Sequence, residues 1–421
     1  MRILWISASI FDAKEEKQSG VWQKAMAFRL AEDKGIILGN ISYQSLTKDI
    51  SRSVYNNIMQ WGIPRLGRAI KGMPPQKVCV LFEQAVKEFN PDIIHVWGSE
   101  NPFKLLPFLS IKNIPVLLTV QGVLGSISET ILKGLSFREV VSTIGIREIL
   151  TNSSLIAIRR SFIKETLIEE QILRAADFIE TQSDWTDSQI MPINSNARFF
   201  RTQRVLRNSF LHSRKWLSFE HSKPIIYTAS WGYSLKGLHI LIDALAIVRD
   251  FFPDVELRIA GAVGRHDWLG DGYFRLILRK IREHRLEQNV VWLGAIDSNE
   301  IALNLQQASV FVSTSFVESY SLTLAEAMCI GTPSVISYAG AMPELALPER
   351  EALFFSPGDY KRCANQIIRL LKNGDLALEL SSRSIKRSEE RERDVDVVEM
   401  QTKTYKEIMK MRSNRPVQYV E

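Results

Sequence analysis

The sequence predicts an α/β protein of two doubly wound domains, each a parallel sheet with helices on both faces. Short apolar runs alternate with longer segments of helical period, and the alternation restarts after a polar stretch at 211–223. The runs lack strict polar alternation, which is typical of strands buried on both faces. At 421 residues the chain is long enough for two domains facing a ligand cleft.

The predicted strands form two series along the chain. The first series is Ile3–Ser7, Ile93–Trp97, Val116–Val120 and Phe178–Thr181. The second series is Ile225–Ala229, Val255–Ile259, Val290–Leu293, Val310–Ser313 and Ser334–Ile336. We therefore expect a first domain over 1–210 and a second over 211–385. A stripe containing Tyr405 and Ile408 predicts that a C-terminal helix within 386–421 returns to the first domain.

Charge and cysteine content limit the partners and the compartment. The net charge of +6, from 53 basic and 47 acidic residues, suits an anionic ligand or an anionic membrane face. It is too small and too scattered to indicate a nucleic-acid partner. Three distant cysteines without metal-ligand spacing indicate reduced thiols. No apolar run reaches the roughly 18 residues of a membrane span, and no signal peptide is recognisable, so a cytoplasmic location is expected.

The strongest chemical pattern lies in Ser313–Glu344, which reads as a strand, a short turn and a helix ended by Gly331. Backbone N–H groups at the start of that helix, together with its dipole, favour an anion. Glu318 lies before the helix and Glu326 lies about two turns along it. A diphosphate at the helix start would have carboxylates for sugar hydroxyls on either side.

This stretch resembles the Glu-x7-Glu motif of retaining glycosyltransferases of family four, the glycosyl transferases group 1. The resemblance implies a GT-B fold, in which two Rossmann-like domains face a cleft. It also implies that Glu318 contacts the donor sugar, that Glu326 binds the ribose hydroxyls, and that the amides of Ser321 and Leu322 hold the diphosphate. Either glutamate alone could be an ordinary helix residue, but the agreement of turn, carboxylates and helix end favours the site.

A second passage, Ile225–Ala244, resembles the family's strand, loop and Lys-Gly before a helix. This places Lys236 on the donor phosphates, where a cation stabilises the leaving diphosphate, so Lys236 and Glu318 are the predicted catalytic residues. Relatives carry an arginine five residues before the lysine, and this chain has Trp231 there. Arg265 in a later loop is the candidate replacement, and an ordinary surface arginine is the alternative.

Smaller signals complete the expected donor and acceptor sites. Gly294 and Ala295 follow the strand that lies beside the nucleotide base in relatives. Gly20 matches a glycine-rich loop that approaches the donor, although a simple turn is an equal alternative. Gln121 and Gly122 stand where many relatives have His-Gly, and they are predicted to position the acceptor or the donor sugar. Glutamine cannot take a proton at neutral pH. The resemblance implies that the leaving phosphate itself deprotonates the acceptor on the same face of the sugar.

Two further sequence features are interpreted as structural rather than catalytic. His95 lies on a predicted buried strand, where a histidine is more often a satisfied core residue than a reactive one. Arg207–Asn208 resembles the end of the first domain, and we interpret this pair as structural.

Two stretches, Met59–Pro75 and Ser126–Glu170, combine basic residues with apolar ones. Helices of that composition can bind an anionic bilayer surface, and helices packed on their own domain show the same pattern. Both interpretations stay open.

The sequence therefore predicts a retaining glycosyltransferase. The resemblance implies that it would move a sugar from a UDP- or GDP-sugar to a saccharide or lipid-linked saccharide acceptor, in cell-envelope polysaccharide or glycolipid synthesis. We expect it in the cytoplasm or peripherally on the inner face of the cytoplasmic membrane. No cofactor and no metal are expected, because Lys236 and the helix N-terminus can balance the diphosphate. The alternatives are a nucleotide-sugar epimerase or hydrolase on the same fold and a non-catalytic nucleotide-sugar-binding module.

Overall fold

The structure is a computed structural model that describes residues 1–12, 21–44, 49–67, 73–204, 206–216, 223–229, 234–261, 271–394 and 396–413. The chain divides into two compact units. Unit 1 comprises Met1–Leu124, Lys164–Val205 and Val395–Glu421, and unit 2 comprises Gly125–Ile163 and Leu206–Asp394.

The sheet of unit 1 has eight strands in the described residues. In chain order they are β1 (Arg2–Ser7), β2 (Ile37–Gln44), β3 (Ser51–Tyr55), β4 (Ile58–Pro64), β5 (Ile93–Trp97), β6 (Val116–Thr119), β7 (Phe178–Thr181) and β8 (Arg198–Arg201). Their order across the sheet is β3-β4-β2-β1-β5-β6-β7-β8. β3 pairs antiparallel with β4, and the other described pairings are parallel. The chain thus winds from β1 in both directions, as the predicted class requires.

The sheet of unit 2 has six strands in the described residues, and all their pairings are parallel. They are β9 (Ile225–Thr228), β10 (Glu256–Ala260), β11 (Val290–Gly294), β12 (Val310–Ser313), β13 (Ser334–Ser337) and β14 (Leu353–Phe355). Their order is β11-β10-β9-β12-β13-β14. This is the 3-2-1-4-5-6 order of dinucleotide-binding folds, in which ligands bind at the carboxyl ends of the two strands where the winding reverses. In unit 2 those strands are β9 and β12.

Helices cover the faces of both sheets. In chain order they are α1 (Val21–Ala31), α2 (Gln76–Phe89), α3 (Leu106–Ser110), α4 (Leu124–Thr130), α5 (Phe137–Ser142), α6 (Ile146–Thr151), α7 (Leu155–Ala175), α8 (Asp184–Ile190), α9 (Asn208–Leu211), α10 (Leu238–Phe251), α11 (Gly272–Glu283), α12 (Ser298–Gln307), α13 (Leu322–Ile330), α14 (Met342–Leu345), α15 (Tyr360–Lys372), α16 (Gly374–Asp394) and α17 (Val397–Ser413). Within the described residues, no helix combines the length and the apolar character that crossing a bilayer requires.

The last helix, α17, packs in the core of unit 1 through Tyr405. The Tyr405 hydroxyl accepts a hydrogen bond from Trp5 Nε1 at 3.0 Å and lies 2.7 Å from His95 Nδ1. The other ring nitrogen of His95 lies 2.5 Å from Thr119 Oγ1. Burial lowers the pKa of His95, so the ring is neutral with both nitrogens bonded. His95 is a core residue, as the sequence predicts.

The structure corrects one expectation about a segment of the chain and bears on one interpretation that the sequence leaves open. Residues 125–163 were expected in the first domain, and they pack in unit 2, because Glu139 and Glu148 form ion pairs with Lys280 and Arg275 of that unit. Of the Met59–Pro75 stretch, the part up to Pro64 is strand β4 rather than a membrane-surface helix, and its Trp61 and Ile63 side chains are buried in the core of unit 1, whereas residues 68–72 lie outside the described residues.

Candidate functional site

Two predicted catalytic residues meet where the winding of the unit 2 sheet reverses. Lys236 lies in the connection that follows β9, and Glu318 lies in the loop that follows β12. Lys236 Nζ is 2.6 Å from Glu318 Oε1. Ser315 Oγ donates to the same carboxylate oxygen at 2.8 Å. Two donors therefore fix the orientation of the Glu318 carboxylate.

Hydrogen bonds between the two loops hold this pair together. Thr314 Oγ1 donates to the carbonyl oxygens of Lys236 at 3.0 Å and of Gly237 at 2.9 Å. Gly237 has φ +71°, and a Cβ on it would lie 2.1 Å from the Thr314 carbonyl oxygen. Only glycine fits both constraints. The Lys-Gly pair in the sequence is thus explained by the close approach of the two loops.

A third loop, which follows β13, supports Glu318 from its backbone side. The Ala341 N–H donates to the Glu318 carbonyl oxygen at 2.8 Å. Gly340 has φ +54°, and a Cβ on it would lie 2.1 Å from that same carbonyl oxygen. The position of Glu318 therefore depends on a second glycine, which the sequence pattern does not single out.

We expect the Gly340→Ala variant to lose at least about 2 kcal/mol of unfolding free energy, because alanine is strained at positive φ and its methyl group would displace the Glu318 loop. Thermal unfolding measures the loss. Gly374→Ala is the matched control, because a Cβ there meets no atom within 4 Å and the residue begins α16. We expect the control to change stability by less than about 1 kcal/mol. Equal melting temperatures for the two variants would contradict the packing argument.

The start of α13 follows Glu318 directly. Ser321 caps this helix, and its side chain accepts a hydrogen bond from the Leu324 N–H at 3.3 Å. Leu322 is the first helical residue, and Gly331 ends the helix with φ +91°. Because the first turn of a helix presents backbone N–H groups without intrahelical acceptors, this end of α13 favours an anion. Lys236 is 32% exposed, so its ammonium group is accessible to such an anion.

The second glutamate of the motif lies in a different environment. Glu326 is 2% exposed, and Arg207 binds its Oε1 through Nη2 at 2.5 Å and through Nε at 3.1 Å. Burial raises the pKa of Glu326 to about 7, and the Arg207 guanidinium opposes that rise. The sequence assigned Arg207 only a structural role at the end of the first domain. The structure instead makes Arg207 the ionic partner of the carboxylate that the resemblance assigns to ribose.

Two buried hydroxyl groups lie on β9, at Tyr227 and Thr228. Tyr227 is fully buried, and this burial raises the pKa of its hydroxyl. The Glu326 carboxylate raises that pKa further, and the Arg207 guanidinium lowers it. Among the described residues, neither the Tyr227 hydroxyl nor Thr228 Oγ1 has a hydrogen-bond partner. Polar atoms of this kind are usually satisfied by a ligand or by water.

Gly294 ends β11 and has φ +72°. Its carbonyl oxygen accepts a hydrogen bond from the Gly261 N–H at 2.8 Å, which ties the carboxyl ends of β10 and β11 together. A Cβ on Gly294 would meet no atom within 4 Å. The backbone at Gly294 and Ala295 is therefore open on that side, as a site beside a nucleotide base would need.

The structure does not test several of the predicted site residues. Gly20, Trp231 and Arg265 lie outside the described residues. Gln121 and Gly122 follow β6 in unit 1, where both are half-buried. The role of these residues stays a prediction. In the described part of the chain, no cluster of three or more His, Cys, Asp or Glu side chains could hold a metal ion.

Residues 210–390 match the family described as glycosyl transferases group 1. The glycogen synthase of Mycobacterium tuberculosis (strain ATCC 25618 / H37Rv) is 27% identical to this chain over 198 residues, which are 46% of this chain and 45% of that enzyme. The chain spans about half the length of the curated relatives that it matches.

Solved structures match over nearly the whole chain. Sucrose-phosphate synthase from Thermosynechococcus elongatus aligns with a TM-score of 0.74 at 17% identity, over 97% of this chain and 99% of that chain. HepE of Anabaena, in complex with UDP and glucose, aligns with a TM-score of 0.62 at 16% identity, over 98% of this chain and 99% of that chain. Residues 210–390, which contain Lys236, Glu318 and Glu326, are thus similar to the glycosyl transferases group 1, and the fold of the chain is GT-B.

Proposed function

We propose that this protein is a retaining glycosyltransferase, in which unit 2 holds a nucleotide-diphosphate sugar whose sugar passes to a saccharide acceptor. The observation that carries the proposal is the Lys236–Glu318 pair at the reversal of the sheet, next to the start of α13. Similar proteins support it, because they include a glycogen synthase, a sucrose-phosphate synthase and a protein bound to UDP and glucose.

Lys236 and the start of α13 would hold the diphosphate. When the bond between the sugar and the diphosphate breaks, negative charge grows on the departing phosphate oxygens. A fixed ammonium group and helix N–H groups stabilise that charge more than they stabilise the intact donor. Because an ammonium group has three donors, Lys236 can bond a phosphate and Glu318 together.

Glu318 would bind the donor sugar. Its carboxylate is held by Lys236 and Ser315 through one oxygen, Oε1. The second oxygen can accept from a sugar hydroxyl and can stabilise the positive charge that develops on the ring during transfer. The leaving phosphate would then take the acceptor proton on the same face of the sugar, which retains the anomeric configuration.

Glu326 would bind the ribose. A buried carboxylate accepts two ribose hydroxyls well only while it is ionised. Arg207 supplies the charge that favours the ionised form. The open backbone at Gly294 would face the base, which we propose to be uracil or guanine.

The acceptor is proposed from the resemblance in sequence alone. A saccharide or a lipid-linked saccharide of cell-envelope polysaccharide or glycolipid synthesis fits the motif. The reaction would then take place in the cytoplasm or on the inner face of the cytoplasmic membrane.

A donor screen tests the proposal. UDP-, GDP- and ADP-sugars are incubated with the protein and a panel of saccharide acceptors, and released nucleotide and the anomeric configuration of the product are measured. The proposal predicts acceptor-dependent release from one donor and an α-linked product from an α-linked donor. An inverted product would refute retention. Conversion of the donor without an acceptor would indicate an epimerase or a hydrolase, and nucleotide binding without any turnover would indicate a binding module.

We expect the transfer rate to stay unchanged in excess EDTA, because Lys236 and the start of α13 already balance the charge of the diphosphate. The measurement compares rates with EDTA alone and with EDTA followed by excess Mn²⁺ or Mg²⁺. A rate that falls in EDTA and returns with either cation would contradict metal independence.

A further inference from the structure

Helices α5 and α6 dock on unit 2 through their polar and buried sides. Glu139 of α5 lies 2.8 Å from Lys280 Nζ, and Glu148 of α6 lies 2.5 Å from Arg275 Nη2. Both cations belong to α11, and Val140 is buried on the same side. The two short helices therefore use the same neighbour, and their other sides point away from it together.

The sides that point away are apolar and exposed. Phe137 is 82% exposed and lies four residues before Val141, which is also exposed, so both occupy one side of α5. Ile146, Ile149 and Leu150 occupy one side of α6, and the last two are 70% and 80% exposed. We call these five side chains the α5–α6 face. A group of exposed apolar side chains often marks an interaction surface, whereas single exposed apolar residues are ordinary.

The charge of the segment that carries the α5–α6 face, residues 125–163, has one dominant sign. The segment 125–163 contains three acidic residues, and two of them, Glu139 and Glu148, are engaged with α11. Its basic residues Lys133, Arg138 and Arg160 are exposed. The segment that carries the α5–α6 face is therefore basic outside its contacts with α11, and Arg138 lies next to Phe137 in the chain.

We propose that the α5–α6 face binds the surface of an anionic lipid bilayer. Apolar side chains would enter the boundary between headgroups and acyl chains, and the surrounding cations would contact the lipid phosphates. A second copy of this chain fits less well, because pairing the face with itself would bring like charges together. This goes beyond sugar transfer itself, and within Ser126–Glu170, whose membrane interpretation the sequence leaves open, it selects two helices of unit 2.

Vesicle co-sedimentation of the full chain tests the proposal without any sugar donor. We expect at least about tenfold more binding to phosphatidylcholine vesicles that contain phosphatidylglycerol than to pure phosphatidylcholine, and less binding as salt screens the charges. The double variant Ile149→Gln and Leu150→Gln should lose at least about tenfold of that binding, because its apolar contacts are removed.

A second double variant, Val54→Gln and Leu378→Gln, is the matched control. Both positions are exposed apolar residues outside the α5–α6 face, and the control should bind vesicles like the parent protein. Arg138→Gln with Arg160→Gln should lower binding to the anionic vesicles and reduce its dependence on salt.

Three outcomes would overturn the proposal. They are absence of binding to anionic vesicles, equal binding by the parent and the Ile149→Gln, Leu150→Gln variant, and a dimer in solution that this variant abolishes. Failure of sugar transfer with intact vesicle binding would contradict the proposed function and leave the α5–α6 face in place.

Discussion

The Lys236→Ala variant is expected to transfer sugar at least about tenfold more slowly than the parent protein, with its fold intact. The reason is the charge that grows on the diphosphate as the donor bond breaks. Lys236 is the side-chain cation that the described residues place beside Glu318 and the start of α13. Loss of its interaction with Glu318 should leave the protein folded, because Lys236 is partly exposed and Ser315 still donates a hydrogen bond to the Glu318 carboxylate.

Lys223→Ala is the matched control for Lys236→Ala. Lys223 also pairs with a glutamate of unit 2, Glu256, but it precedes β9 and so lies at the opposite end of that strand. The control should keep its turnover and its melting temperature. Initial rates at saturating donor, with circular dichroism of each variant, make the comparison. Equal rates for the two lysine variants would remove Lys236 from the reaction.

Glu318→Ala should match Lys236→Ala in its effect on turnover, since the two side chains form one unit. The double variant then becomes informative. If both residues act on the same step, the loss in the double variant should be smaller than the product of the two single losses. Near-normal rates in both single variants would refute the site altogether.

The sheets were predictable because each strand is a short apolar run that the fold buries on both faces. The ends of all nine predicted strands lie within one residue of the ends of an observed strand. The strands that the sequence analysis missed, β2, β3, β4, β8 and β14, include edge strands, where one neighbour is lacking and polar residues are tolerated. The motif around Glu318 was predictable for another reason: its turn, cap and helix end are local, and local chemistry is visible in sequence.

Contacts between distant segments were not predictable in the same way. Arg207 and Glu326 are 119 residues apart, and no spacing rule connects them. The place of 125–163 in unit 2 depends on two ion pairs with α11, whose partners lie more than a hundred residues away. Hydrophobic period predicts that a helix has a buried side, but it does not say which neighbour covers that side.

The Arg207→Ala variant is expected to weaken binding of the donor's nucleoside diphosphate at least about tenfold at pH 7, and to change turnover at saturating donor much less. Arg207 binds the buried Glu326 carboxylate through two nitrogens, and its guanidinium also lies over the Phe210 ring. Without Arg207, the pKa of Glu326 should rise further above 7, so the carboxyl would be mostly protonated at neutral pH. A protonated carboxyl accepts the ribose hydroxyls poorly.

The pH dependence of this variant has a definite sign. The folded protein holds the pKa of Glu326 above its ordinary value. The contribution of this carboxyl to the free energy of unfolding is therefore largest at acidic pH, and it is lost as pH rises through about 7. Removing Arg207 raises the pKa of Glu326, so the stability of the variant continues to fall at higher pH than that of the parent. We therefore expect the melting temperatures of parent and variant to differ little near pH 5 and increasingly as pH rises above 7, because the carboxyl of the variant must then ionise while it is buried without a partner.

Nucleotide binding should change with pH in the opposite direction. Between pH 7 and pH 9 the variant's carboxyl regains its charge, so its affinity for the nucleoside diphosphate should recover while its stability declines. Titration calorimetry measures the affinity, and thermal unfolding measures the stability of the same samples. Arg207→Lys should restore part of the nucleotide affinity and part of the stability, because a lysine supplies the positive charge but not the two-nitrogen contact.

Arg258→Ala separates these effects from a general loss of packing. Arg258 is a partly buried arginine of β10 that pairs with Glu256 in the same sheet, away from Glu326. Its loss should lower the melting temperature and leave nucleotide affinity unchanged at every pH. If Arg207→Ala behaves in the same way, Arg207 only supports the fold. If affinity and stability instead move in opposite directions with pH, Arg207 acts through the charge of Glu326 on the ribose.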